Sequence, residues 1–119
     1  MKTLPDRAAD KAQRTPTFSD LLARAVADKL ERDPSLLRIA IENIDRWLAR
    51  GVISAPNRFL RWRELCERAG SDATALQDIL ERLRSDTEEA SRWRDFSPFA
   101  GVLSSAERRA IIRQCSYSH

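Results

Sequence analysis

Residues 33–51 read DPSLLRIAIENIDRWLARG. Asp33 followed by Pro34 is a helix start. A short carboxylate can accept from the first free backbone N–H groups, and a proline there gives up an N–H that would have no partner anyway. Gly51 is a stop, because glycine enters the left-handed conformation that closes a helix. Between them, Leu37, Ala40, Ile41, Ile44, Trp47 and Leu48 recur every three or four residues and predict one apolar stripe on a helix over about 34–50. A helix of this kind has to bury its stripe against other elements.

The flanking sequence supplies them. Thr17, as a cap, and Asp20, in the first turn, open a helix over about 18–32 with Phe18, Leu21, Leu22, Ala25, Val26 and Leu30 at helical spacing. Pro56 opens a third helix, about 56–69, carrying Phe59, Trp62, Leu65, Cys66 and Ala69. A fourth, about 72–84, has Leu76, Ile79, Leu80 and Leu83 inward, with Ser71 or Asp72 as its cap. A short fifth covers about 86–95 with Ala90 and Trp93. Ser104 and Glu107 have capping-box spacing and begin a last helix, about 104–115, with Ala110, Ile111 and Cys115 on its apolar side. No segment alternates with period two for long enough to be a strand. The expected fold is all-α: a compact bundle of about five to six short helices joined by short connections. Residues 1–16, polar and holding Pro5 and Pro16, are expected to be a mobile arm, and 17–119 a single helical domain.

The joint before the last helix is unusual. Residues 96–103, FSPFAGVL, carry Phe96, Phe99, Val102 and Leu103 around one proline and one glycine. Pro98 turns Ser97 away from helix, and Gly101 allows a positive φ. A linker this apolar belongs out of water, either as a buried joint or as the edge of a docking surface. In the second case Phe96, Phe99 and Val102 would be the anchors, with Arg108, Arg109 and Arg113 of the last helix around them, since apolar anchors ringed by arginine are common in interface hot spots.

Composition narrows the function. With 42% hydrophobic and 33% charged residues in 119 positions, the chain suits one small core under a heavily charged surface. No apolar run approaches the roughly 18 residues of a membrane span, and MKTLPDRAADKAQRTPT lacks the apolar centre of a signal peptide. A cytoplasmic protein with no membrane partner is expected. Cys66 and Cys115 lie in different helices, there is no CxxC, and the only histidine is His119. Free thiols, no metal and no cofactor are therefore expected. Catalysis finds little support: no base stands near a nucleophile, and Gly51, Gly70 and Gly101 are separate stops and turns that cannot form a phosphate loop. No small-molecule substrate is expected.

The net charge of +3 invites nucleic acid only mildly. Asp20–Arg24, Asp28–Arg32, Glu42–Arg46, Glu64–Arg68, Asp78–Arg82 and Glu88–Arg92 are spaced i,i+4 with the acid first, which marks solvated helix faces rather than an unneutralised cationic stripe. Arginine adjoins tryptophan in Arg46-Trp47, Arg61-Trp62-Arg63 and Arg92-Trp93-Arg94. Helix neighbours point about 100° apart, so the tryptophans read as core and the arginines as rim. Arg58 and Arg61 share a face and could grip an acidic partner surface or phosphates.

The segments RAVADKLxRDPSLLxxAxENIDRW (24–47), RWRELCE (61–67) and LRSDTEEASRWRDFSPFAGVLSSAERRAI (83–111) together resemble a family of short bacterial proteins encoded beside toxin genes, notably nucleotidyltransferase-type toxins, and regarded as their antitoxins. The resemblance covers about Phe18 to Ile112 and is most specific from Asp86 to Ile111. Family members often carry an aromatic where Arg109 stands here. The resemblance implies a cytosolic, non-enzymatic protein that neutralises a cognate toxin by direct binding. The alternative is a small nucleic-acid-binding transcriptional regulator, using the third and fourth helices around Gly70 as a helix-turn-helix. That reading ranks second, because Asp72 and Asp78 would face phosphates from the reading helix.

Overall fold

The computed structural model describes residues 16–117, excepting the side chains of Ser116 and Tyr117. The arm expected over 1–16 lies, apart from Pro16, outside the described residues, as does His119. The fold is an all-α bundle: α1 (Phe18–Arg32), α2 (Leu37–Arg50), α3 (Pro56–Arg68), α4 (Ala73–Arg84), α5 (Glu88–Arg94) and α6 (Ser105–Tyr117), with no strand among the described residues. Residues Pro34–Leu36 form a single 3-10 turn, so the helix expected from Pro34 begins at Leu37. Asp33 turns its side chain to the Ser35 N–H at 3.3 Å, and that local bond favours a tight turn over an immediate α-helix.

Thr17 and Asp20 form a reciprocal capping box on α1, with bonds of 3.1 and 3.0 Å. Gly51 closes α2 at φ 67 while its N–H donates to Leu48 and that of Val52 to Trp47. Asp72 caps α4 through the Thr74 N–H at 2.9 Å, and Thr87 caps α5 through that of Ala90 at 3.1 Å.

The helix α4 is the centre of the bundle, packed against α1, α3 and α5, while α1 also holds α6 and α2 lies on α3. Leu30, Ile44, Trp62, Ile79 and Leu80 are its largest enclosed apolar residues, each at most 1% exposed. On α1 the buried face is Ala23, Val26, Ala27 and Leu30, with Phe18, Leu21, Leu22 and Ala25 half-buried beside it. The expected stripe is thus rotated toward its alanines, which let a neighbouring helix approach closely. On α6, Ile111 is buried but Ala110 is exposed, so the last helix gives the core less than its pattern suggested.

The tryptophans divide unequally. Trp62 is fully enclosed, donates from Nε1 to the Trp93 carbonyl at 2.9 Å, and stands edge-on to both Trp93 (5.0 Å) and Phe99 (5.1 Å). Trp47 and Trp93 are half-buried. The Arg82 guanidinium lies 4.3 Å above the Trp93 ring, and its buried Nε has no hydrogen-bond acceptor among the described residues; the ring's π face is its compensation.

Candidate functional site: a cleft between the first helix and the aromatic joint

The joint at 96–103 owes its shape to one side chain of α2. Asn43 is 5% exposed, and its Nδ2 donates to the carbonyls of Pro98 at 2.9 Å and Ala100 at 2.8 Å. Its Oδ1 accepts from Arg46. Both amide hydrogens are therefore spent on a stretch that has left helical bonding, where buried carbonyls need donors from elsewhere. Gly101 stands at φ +91, a conformation that a side chain would strain. Held this way, the joint sinks Pro98, Phe99, Val102 and Leu103 into the core.

That burial is what the buried-joint reading expects of this stretch. Val102 is 2% exposed, while Phe99, at 5%, keeps a sliver of surface. The sliver is the floor of a cleft of about 510 Å³ between α1, the joint and the start of α6. Leu22, Ala23, Val26, Leu83, Phe99 and Leu103 give the cleft an apolar bed; Ser19, Asp20, Ser91, Arg94, Asp95, Ser97 and Arg108 rim it. Of the expected contact residues, Phe99 and Arg108 meet here. Phe96 does not: it is half-buried, edge-on to Phe59 at 5.8 Å and under Arg58. Arg109 and Arg113 are exposed on α6, away from the cleft lining.

Two clamps fix the walls. Arg94 donates from Nη1 to the carbonyls of Arg82 (2.8 Å) and Ser85 (2.7 Å), sealing the end of α4, and its Nη2 lies 3.8 Å from Asp20 at the start of α1. Arg94 was expected on the solvated rim with its neighbours. It turns inward because the last carbonyls of α4 lack intrahelical partners and a charged donor near a helix C-terminus is favourable. The second clamp is the α6 capping box. Ser104 N–H donates to Glu107 Oε1 at 2.6 Å and Glu107 N–H to Ser104 Oγ at 3.1 Å. Lys29 of α1 adds its Nζ to the same Oε1 at 2.8 Å. The Lys29 ammonium, followed by the Ser104 amide, holds the Glu107 carboxyl down to about 2.

Farther off, Arg63 joins α3 to α2 by a two-point bond to Asp45 (2.7 and 3.1 Å), which holds the Asp45 carboxyl below its usual range. Burial pushes the Cys66 thiol up to about 12, with the neighbouring Glu67 charge adding to it. No group of three or more His, Cys, Asp or Glu that could hold a metal ion occurs among the described residues, and no helix there is long and apolar enough to cross a membrane.

Compared with protein-family models, with curated proteins and with solved structures, the chain finds no match.

Proposed function

We propose that this chain is a cytoplasmic, non-enzymatic protein-binding module that neutralises a partner by inserting part of it into the cleft, in the manner of the antitoxins its sequence resembles. The observation that carries the reading is the make-up of the cleft: an apolar bed open to solvent under a rim of serines and charges. Such a bed offers desolvation to an inserted apolar side chain, while the rim offers orientation by hydrogen bonds. Arg108 and Asp95 contribute charges that make no side-chain ion pair or hydrogen bond among the described residues. The packing of α4 weighs against the nucleic-acid alternative. The helix that would read a groove packs against α1, α3 and α5, its exposed positions Thr74, Gln77 and Glu81 carry no cation, and Asp72 is used as its cap.

The test is calorimetric titration against the product of the adjacent gene, with Ser91→Trp as the probe. Ser91 is exposed at the cleft rim, so a tryptophan there fills the opening without disturbing the core. A stoichiometric complex with the wild-type protein, weakened tenfold or more by S91W at unchanged melting temperature, is expected. Equal affinity of S91W and wild type would remove the cleft from the interface. No complex, together with sequence-selective duplex binding at physiological salt, would favour the regulator instead.

A further inference from the structure

Arg58 and Arg61, one turn apart on α3, and Arg92 of α5 surround a second, separate hollow whose floor is Trp93 and Phe96. Its volume is about 20 Å³. We propose that this hollow receives a single carboxylate side chain from an acidic segment of the protein partner, an inference that rests on the protein-binding reading above.

Three observations lead there. The first is charge. All three arginines are exposed, and among the described residues the one carboxylate bonded to any of them is Glu88, on Arg92 at a loose 3.4 Å. Arg61 has no hydrogen-bond or ionic partner there. Three arginines line one hollow, therefore, with one peripheral counter-charge, and guanidinium forks match the two oxygens of a carboxylate.

The second is size. A space must offer roughly 10–15 Å³ to admit one water, so this hollow of about 20 Å³ takes one carboxylate oxygen, with the rest of the group at its mouth, and no nucleobase. The third is the state of the rings. An arginine-aromatic cluster that binds single-stranded nucleic acid presents its rings for stacking. Here Arg82 covers the Trp93 face at 4.3 Å, Trp62 meets the same ring edge-on, and Arg58 lies 5.3 Å over Phe96. The rings are occupied in fixing the arginines and are not open as stacking platforms.

The experiment is a titration of the whole protein, labelled at arginine and tryptophan side chains, followed by nuclear magnetic resonance. The probes are hexaglutamate peptide, inorganic phosphate and a six-residue oligothymidylate, each at low salt. Saturable shifts of the Arg58, Arg61 and Arg92 Nε–H signals and of the Trp93 indole signal are expected with hexaglutamate, with the exposed Arg38 unmoved. Arg61→Ala and Arg92→Gln should each weaken that response at least fivefold without changing the melting temperature. Uniform shifts of every exposed arginine, or no change in the variants, would overturn the site. Tighter saturation by phosphate or oligothymidylate than by the peptide would overturn the carboxylate assignment. A parallel titration of Ser91→Trp keeps the two ideas apart: that variant tests the cleft alone, and its response to hexaglutamate should match the wild type whether or not the cleft reading survives.

Discussion

Asn43→Ala removes the donor that two joint carbonyls share. The bonds lost are those to Pro98 at 2.9 Å and Ala100 at 2.8 Å. A net hydrogen bond contributes about 1 kcal/mol, and a carbonyl left bare in the interior costs about 1–3 kcal/mol. The two acceptors differ. Pro98 is buried and its carbonyl has no replacement, whereas Ala100 is exposed and its carbonyl can turn to water. The loss should thus be about 2–4 kcal/mol. At about 5 °C per kcal/mol for a domain of this size, melting should fall by about 10–20 °C. Urea titration followed by tryptophan fluorescence is a suitable assay, because Trp62 stands 5.1 Å from Phe99 and reports on the joint directly. The midpoint should move at constant slope. Asn43→Asp sharpens the test. At neutral pH one oxygen of its carboxylate can keep Arg46 while the other faces two carbonyl oxygens with no proton to give, so it should not restore the joint. An Asn43→Ala protein within about 0.5 kcal/mol of wild type would refute the claim that this amide holds the joint.

Ile44→Ala, at a side chain with no exposure, should cost about 2–5 kcal/mol in the same titration, and a cost under about 0.5 kcal/mol would remove α2 from the core. The Glu107 carboxyl has a folded pKa depressed to about 2, so its contribution is present above the unfolded value of about 4.3 and disappears as pH falls from there to about 2. Acid titration of stability should show this loss in the wild type and a smaller one in Glu107→Gln; identical acid limbs would contradict it. The two thiols should react in two phases with a disulfide reagent at pH 8: Cys115, only partly covered, quickly, and Cys66, enclosed and held protonated, at the rate of unfolding. Cys115→Ser should abolish the fast phase and leave the slow one.

The sequence made the helices and their starts legible because those depend on neighbours within one turn. Thr17, Asp72 and Ser104 cap as their spacing indicates. The partners of the charges were not legible. Glu88–Arg92 closes along its helix at 3.4 Å, but Asp28 meets Arg84 of α4 at 2.7 Å, Arg24 lies 3.6 Å from Asp86, and Arg82 turns to the Asp78 carbonyl and the Trp93 ring. Helical spacing offers an arginine one neighbour; packing offers it another helix, and a long side chain reaches both. Asn43 was missed for a related reason. It lies on the apolar face of α2, next to Ile44, where the pattern leads one to expect another hydrophobe. A polar residue inside a stripe, taken with a proline-bearing apolar joint elsewhere, was the available signal: carbonyls buried outside a helix require a donor. The cleft itself had no sequence signature, because residues some seventy to eighty positions apart form its walls, such as Leu22 with Phe99 and Leu103.

That separation bears on when the chain can act during its own synthesis. Ser19 to Val26 leave the ribosome early, whereas Phe99 to Arg108 leave among the last of the described residues. Between those moments the α1 side of the cleft has no facing wall, and Leu22 and Val26 are open to water and to chaperones. A nascent chain halted anywhere before the joint therefore has helices but only one wall of the cleft. A protease cut within 96–103 should loosen the same wall in a mature molecule, and with it the core that Phe99, Val102 and Leu103 complete.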